Sequence, residues 1–326
     1  MNKRLPSVSV IIPCFNCEQW INNCLYAIER QTYCGPIEIV CVDDASSDNT
    51  VRLIEEASSI ARHNIKLLRN VGNLGPAMSR NIGIEAAVGE WIAFCDSDDW
   101  FDDTFIEEML DAAFTHNSEL VMCNYKKIPE SNSRVLEVDY LATVPRNPSV
   151  EQMVIHSKAS LCLLFVNRTV LRGIEIPNLR NGEDIAIVPI IESKVHNIAI
   201  VRRPLYNYYV RRSSASNRVS KTVFRSLCLA YDYILENLDS SFAVAKEYLG
   251  IRTVLYGATL AAFKAGNDLQ QVRAEIEKFE KVFPKWYKND YVGAFSTAKR
   301  VYLLMIRFRC YRICKLLATL HGRLSV

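Results

Sequence analysis

Five aspartates follow a strand-like apolar run in the segment WIAFCDSDDWFDD, residues 91–103. Asp96, Asp98 and Asp99 stand closest to the end of that run. At an effective dielectric constant of about 20, two carboxylates about 4 Å apart repel each other by roughly 4 kcal/mol. Protonation or a paired arginine or lysine would offset this repulsion, and a divalent cation held by oxygen ligands would offset it best. The cluster therefore indicates a charge-balanced site at a strand end.

The elements that position this cluster are strands and helices in alternation. Helix-like spacing and capping signals over Glu18 to Gln31, Asp48 to Arg62 and Pro76 to Val88 predict three helices. Nearly continuous apolar runs predict parallel strands covered on both faces at 8–15, 37–44, 65–70 and 91–96. With right-handed crossovers, this order gives an α/β fold with a mostly parallel, doubly wound sheet, which binds ligands beyond the carboxyl ends of its strands.

Each predicted strand is followed by a distinctive polar cluster. The clusters are PCFN, DDASSDNT, NVGNLG and CDSDDW in strand order. Such residues also populate ordinary loops, but four clusters on one edge favour a single site. No G-x-G-x-x-G follows the first strand and no G-x-x-x-x-G-K-[ST] occurs, which disfavours a dinucleotide site and excludes a P-loop.

The rest of the chain loses this alternation. LVMCNYKKI and residues 198–210 predict further strands, 149–195 reads as mixed helix and loop, and 219–281 as helical. Residues 298–320 predict one basic helix with an apolar stripe. Seven basic residues and no acidic residue follow Asp290, so from a total of +3 the rest of the chain carries −4. Such a helix either lies on an anionic membrane surface or packs on the body with a solvated basic face.

Length, hydrophobic content and cysteine use indicate which class of protein this chain belongs to. The chain has 326 residues and 49% hydrophobic content, enough to bury a sizeable core. We interpret its eleven cysteines as reduced structural thiols, with CFNC at Cys14 and Cys17 as an alternative redox pair. We expect no signal peptide, and the longest uncharged apolar stretch, Thr253 to Phe263, is too short to span a bilayer. A cytoplasmic protein, peripheral on the membrane if the tail binds it, is expected.

A strand that ends in Asp-x-Asp has two well-known uses. In phosphatases resembling haloacid dehalogenases, the first aspartate is a nucleophile on the first strand and Thr or Val follows the motif. Here Trp100 occupies that place and the motif follows the fourth strand. The other use is a clamp for Mg²⁺ or Mn²⁺, which neutralises a diphosphate leaving group. The sequence favours the metal clamp.

The ordered motifs resemble those of family-two inverting glycosyltransferases with the GT-A fold, of the bacterial surface or capsular polysaccharide type. The resemblance covers roughly residues 7–216 and is carried by VSVIIPCFN, IEIVCVDDASSDNT, NVGNLGPAMSRNIGIEAAVGEWIAFCDSDDWF and NGEDIAIVPII. It implies a GT-A domain over 1–216, with a nucleotide-sugar-binding half (1–105) and an acceptor-binding half (106–216). It leaves 217–326 as a helical C-terminal region.

The resemblance also implies roles for individual residues. Asp98 is the expected metal ligand, and Asp96 contacts ribose or metal. Asp184 is the expected general base, with Glu183 positioning the acceptor or the base; acids at a helix start also serve as caps. The expected nucleotide-sugar contacts are Pro13 and Phe15 at the base, Asp43 and Asp44 at the uracil, Arg80 at phosphate or ribose, and Arg211 and Ser214 at the diphosphate.

The implied activity is transfer of a hexose or N-acetylhexosamine from a nucleoside diphosphate sugar, most simply a UDP-sugar, to a saccharide acceptor. Lipid-linked saccharides of surface polysaccharide synthesis are the expected acceptors, and no nucleic acid is expected as a partner. Two alternatives stay open at this point. One is a catalytically degenerate nucleotide- or saccharide-binding protein of the same fold, and the other is a nucleotidyltransferase, which would need a Gly-rich basic loop after the first strand.

Overall fold

The computed structural model describes residues 4–131, 134–145, 148–156, 158–179, 181–211 and 220–324. Ser214, one of the predicted diphosphate contacts, lies outside these residues. The chain divides into two compact units. The first contains residues 1–178 and 191–214, and the second contains 179–190 and 215–326. The segment that carries Glu183 and Asp184 is thus grouped with the C-terminal residues, while a domain division after residue 216 stays a prediction.

Nine strands of the described chain form one mixed sheet in the first unit. Their bounds are β1 Val8–Cys14, β2 Ile37–Asp43, β3 Asn64–Arg69, β4 Trp91–Phe94, β5 Trp100–Phe101, β6 Leu120–Pro129, β7 Leu136–Val138, β8 Leu164–Asn167 and β9 Ile198–Val210. The order is β3-β2-β1-β4-β8-β6-β9-β5, with β7 paired to β6. Strands β3, β2, β1 and β4 are mutually parallel, whereas β8 is antiparallel to both of its neighbours. The predicted α/β fold with a mostly parallel N-terminal sheet is confirmed.

The central strands form because most of their side chains are apolar on both faces. Every residue of β2 and β4 is buried, as is all of β1 except the half-buried Pro13. Helix α3, Pro76–Ala86, packs closely on β1, since a Cβ added at Gly83 would lie 2.4 Å from Cγ2 of Ile11. This close approach holds α3, which carries Arg80, against β1.

The other helices of the first unit are α1 Ile21–Glu29, α2 Thr50–Ser58, α4 Phe105–Thr115 and α5 Val150–His156. Helix α6, Glu183–Ser193, crosses the division between the units. The second unit continues with α7 Lys221–Asn237, α8 Ala243–Gly250, a π-helical segment Ile251–Ala258, α9 Thr259–Ala265, α10 Leu269–Val282, α11 Thr297–Arg307 and α12 Tyr311–Leu324. No described helix is long and apolar enough to cross a bilayer.

Two sequence-based expectations need correction. Residues 149–195 contain β8 as well as helices, a strand missed because its four residues give too short a run to show a period. The tail forms two helices rather than one. Arg309 adopts a left-handed conformation (φ 57°) between α11 and α12. The break shifts the helical phase between α11 and α12, so Ile313 is exposed whereas Tyr302 and Ile306 are buried.

Candidate active site

The loops after β1 and β2 are joined at the carboxyl edge of the sheet. Asn16 has a positive φ of 48°, its backbone N–H donates to Oγ of Ser46 (3.0 Å), and its Oδ1 accepts from the N–H of Ser47 (2.8 Å). Two further loop contacts tie Cys17 to Thr50 and Glu18 to Asp48. At this edge the Phe15 side chain is exposed and Pro13 is half-buried. An apolar ring on a fixed loop can stack with a flat ligand.

Asp43 and Asp44 hold neighbouring loops in place. The buried Asp44 carboxylate accepts from Nδ2 of Asn70 and from the N–H groups of Leu74 and Gly75, each at 2.8 Å. Asp43, also buried, accepts from the N–H of Ser46 at 3.3 Å. A carboxylate offers about four acceptor positions, so Asp44 keeps roughly one for a ligand. The pair therefore organises the loops after β2 and β3.

Arginines balance the two carboxylates of the Asp-x-Asp motif. Oδ1 of Asp96 lies 2.8 Å from an amino nitrogen of Arg80, whose side chain is buried. Oδ2 of Asp98 lies 2.5 Å from an amino nitrogen of Arg211. The Asp96 side chain is 37% exposed and that of Asp98 is 17% exposed. Burial and the charge of Asp96 raise the pKa of Asp98, and Arg211 opposes that rise.

Asp99 is a structural member of the cluster. It is 1% exposed and accepts from the Tyr206 hydroxyl (2.5 Å) and from the Tyr209 N–H (2.7 Å). Burial, together with the charges of Asp96 and Asp98, raises its pKa to about 9. Asp99 thus carries a proton at neutral pH and joins the β4 end to β9. Two of the three expected ways of relieving the repulsion, arginine pairing and protonation, are present.

The donor set of this site fits a divalent cation. Asp96 and Asp98 offer carboxylate oxygens, and Mg²⁺ is commonly held by one or two carboxylates together with phosphate oxygens and water. In the described part of the chain, no three His, Cys, Asp or Glu side chains group to hold a metal ion. A cation here would therefore complete its coordination with oxygens from a diphosphate and from water.

Three side chains of this site escaped sequence reasoning. The Arg211 guanidinium carbon lies 4.4 Å from the ring centroid of Trp20, a cation–π contact at the start of α1. Tyr206 contacts the cluster twice, because its hydroxyl also accepts from the Asp96 N–H at 3.3 Å. The Tyr209 ring lies 6.2 Å from that of Trp100. The tyrosine-rich sequence of β9 could have suggested an aromatic wall, but its partners depend on strand pairing.

In the second unit, Glu183 and Asp184 form the first turn of α6. Gly182 precedes them with a φ of 102°, a conformation that side chains other than glycine rarely adopt. A Cβ at that position would also lie 3.5 Å from Cβ of Ala230 on α7. The glycine of the NGED motif therefore sets the direction of this helix start, and with it the direction of both acids.

Known glycosyltransferases are similar to this chain in sequence. Residues 9–155 match the family model Glycosyl transferase family 2. EpsH of Bacillus subtilis (strain 168), whose name gives glycosyltransferase as a provisional assignment, is 30% identical over 283 residues, covering 84% of this chain and 74% of EpsH. WfgD of Escherichia coli, named UDP-Glc:alpha-D-GlcNAc-diphosphoundecaprenol beta-1,3-glucosyltransferase, is 25% identical over 260 residues, covering 80% of this chain and 97% of WfgD.

Solved structures show the same fold. The S. aureus TarS 1–349 structure in complex with UDP-GlcNAc aligns with a TM-score of 0.74 at 18% identity, covering 97% of this chain and 92% of that one. The mannosyltransferase PcManGT from Pyrobaculum calidifontis, in complex with GDP-Man and Mn²⁺, aligns with a TM-score of 0.58 at 17% identity, covering 98% and 88%. The expected GT-A fold is confirmed, and the chain belongs to glycosyltransferase family 2.

Proposed function

We propose that this enzyme transfers a hexosyl or N-acetylhexosaminyl group from a UDP-sugar to a lipid-linked saccharide, with inversion, during synthesis of a surface polysaccharide. The observation that carries the proposal is the pairing of Asp96 with Arg80 and of Asp98 with Arg211 at the β4 end. Two carboxylates and two guanidiniums at one strand end suit a ligand that combines a metal ion with a diphosphate. The undecaprenyl-linked acceptor in the name of WfgD supports the choice of acceptor.

Within this proposal, Asp98 and Asp96 hold Mg²⁺ or Mn²⁺, which when bound neutralises charge on the departing diphosphate. Arg211 exchanges its contact with Asp98 for phosphate oxygens, and its stacking on Trp20 keeps the guanidinium oriented. Arg80 pairs with Asp96 and holds its carboxylate at the strand end. Phe15 and Pro13 border the base, and Asp44 offers its remaining acceptor position to the uracil ring.

Asp184 is proposed as the general base and Glu183 as its positioning partner, on the strength of the NGED motif. Direct displacement at the anomeric carbon requires a base that removes the proton of the acceptor hydroxyl. A helix start favours negative charge because its unpaired backbone N–H groups point outward. In this proposal Asp184 takes the proton of the acceptor hydroxyl as the hydroxyl oxygen attacks the anomeric carbon.

A thermal-shift panel of UDP, GDP, dTDP and CMP, each with and without Mn²⁺, tests the donor site. Ligand at about 100 times its dissociation constant adds about 2.7 kcal/mol to the free energy of unfolding. We expect the largest shift with UDP, and a larger one with Mn²⁺ than without. A panel without any shift would contradict the donor site and favour a degenerate protein of the same fold.

The Asp184→Asn variant tests the base. We expect loss of glycosyl transfer with the UDP-induced thermal shift unchanged. Glu151→Gln, an acid-to-amide change in the first turn of α5, serves as the matched control and should leave transfer unchanged. Full transfer by Asp184→Asn would eliminate this residue as the base.

A further inference from the structure

The last two helices expose apolar side chains that their packing does not use. Five large apolar residues between positions 301 and 316 are exposed, namely Val301, Leu304, Phe308, Ile313 and Leu316. The same helices bury a second apolar set, Tyr302, Leu303 and Ile306 on α11 and Tyr311, Cys314 and Ala318 on α12. Each helix is therefore apolar on two sides, of which one is packed within the second unit and one faces solvent.

Helical geometry places each exposed set on one face. Val301 and Leu304 are three positions apart on α11, on the side opposite the buried Tyr302 and Ile306, and the exposed Phe308 follows directly after the helix. Ile313 and Leu316 are likewise three positions apart on α12. A folded helix gains nothing from an exposed apolar face in water, so this face requires a separate explanation.

The charges around these faces have one sign. Arg300, Arg312 and Lys315 are exposed, and none of the three forms an ion pair with any residue that the structure describes. The chain has no acidic residue after Asp290. By contrast, Arg309 is paired with Glu280 and Arg307 stacks on the ring of Tyr287, 3.4 Å from its centroid. Each of these three cations, which form no ion pair within the described residues, therefore adjoins an exposed apolar residue in sequence: Arg300 adjoins Val301, Arg312 adjoins Ile313 and Lys315 adjoins Leu316.

A cavity of about 340 Å³ borders the same side of α11. Its lining combines apolar and aromatic side chains, including Trp286, Val292 and Leu304, with the guanidiniums of Arg300 and Arg307. Apolar volume beside positive charge matches an amphiphile with an anionic head group. A purely polyanionic partner such as a nucleic acid would leave the apolar lining unused.

We infer that α11 and α12 form a docking surface for an anionic lipid bilayer. We define this tail surface as Val301, Leu304, Phe308, Ile313 and Leu316 with Arg300, Arg312 and Lys315. The apolar side chains enter the boundary between head groups and acyl chains, and the basic side chains contact acidic head groups. The inference does not depend on the proposed transfer reaction, since bilayer binding is measured without donor or acceptor.

The test is co-sedimentation of the full chain with phosphatidylcholine vesicles, with and without about 30 mol% phosphatidylglycerol, in about 0.1 M and about 0.5 M NaCl. We expect binding to the anionic vesicles only, weakened at high salt. The triple variant R300Q/R312Q/K315Q should reduce the partition coefficient by roughly 100-fold, since each charge near the surface contributes about fivefold. R134Q/R172Q/K194Q, three exposed basic residues of the first unit, is the charge control and should bind within about twofold of wild type.

The apolar part is tested by F308S/L316S, which should weaken binding to anionic vesicles by at least about tenfold at either salt concentration. Phe308 is 61% exposed, so the protein should keep its melting temperature. F114S/V88S is the matched control, because Phe114 is 62% exposed on the first unit.

Absent binding, equal binding to both vesicle types, or a tail variant that binds like its control would overturn the inference. Sedimentation velocity tests the alternative that this face binds a second copy of the chain. If the protein dimerises but does not bind vesicles, and F308S/L316S abolishes the dimer, then the exposed apolar face binds a second copy of the chain. If a variant fails to fold, the salt dependence of wild-type binding to anionic vesicles still tests the inference.

Discussion

Two acidic pairs flank β1 in the first unit, and their negative charge is balanced in different ways. Asp43 and Asp44, at the end of β2, accept mainly from backbone and asparagine N–H groups of the following loops. Asp96 and Asp98, beyond β4, face the guanidiniums of Arg80 and Arg211. Backbone donors are fixed, whereas an arginine side chain can change its partner. The β2 pair therefore shapes loops, and the β4 pair is suited to exchange partners with a ligand.

The largest effect should follow from removing the charge of the β4 pair. We expect Asp98→Asn to lower kcat for transfer by about 1000-fold, since preorganised charge at a reacting group contributes that order of rate. Its melting temperature should change little, because the amide has the same shape. Asp103→Asn, an exposed acid five residues further along, is the control and should retain activity. Wild-type activity of Asp98→Asn would show that the charge of Asp98 is not needed for transfer, so the two acidic pairs would not differ in the way described.

Removing the β2 pair should instead lower stability. Asp44→Ala deletes the acceptor for three hydrogen bonds, including those from the N–H groups of Leu74 and Gly75. We expect a loss of about 3 kcal/mol in the free energy of unfolding, measured by urea titration. Asp44→Asn, which keeps one acceptor oxygen, should lose less. Equal stability of Asp44→Ala and wild type would contradict the loop-holding role.

A smaller effect is expected at Arg211, where a lysine keeps the positive charge but changes the shape of the side chain. Arg211→Lys keeps the positive charge but loses the planar group that stacks on Trp20 and can bind two oxygens. We expect KM for the donor to rise about tenfold, with a smaller change in kcat. Arg203→Lys, an exposed residue of β9 that pairs with Glu108, is the matched control. An unchanged KM would mean that a positive charge near Asp98 is enough for donor binding and that the planar guanidinium is not required.

The smallest effect is expected at Asp99, where the charge is already absent. Its pKa of about 9 leaves the carboxyl protonated at pH 7, so Asp99→Asn changes neither its net charge nor its volume appreciably. We expect stability within about 0.5 kcal/mol of wild type, against a loss of about 2 kcal/mol for Asp99→Ala. Parallel thermal unfolding of the two variants measures the difference. A large loss in Asp99→Asn would show that the β4 end needs a third negative charge.

Much of the first unit could be predicted because local signals and fold rules agree there. Continuous apolar runs gave β1, β2, β3 and β4, and helix signals gave α1, α2 and α3 between them. Right-handed crossovers then place four strand ends on one edge. Strand β8 and the break at Arg309 could not be predicted, because one is too short for a period and the other is a single backbone conformation.

The fold class, the sheet edge that carries the candidate site and the residue types available there could be predicted from the chain alone, because they depend on periodicity and on the order of elements. Tertiary structure alone decided which cation meets which acid. Arg80 and Asp96 are sixteen residues apart, but Arg211 reaches Asp98 only through the pairing of β5 with β9. Tertiary structure also decided that Asp99 is buried and protonated, since desolvation depends on what packs around a carboxyl group. Neither partner choice nor burial is encoded in local spacing.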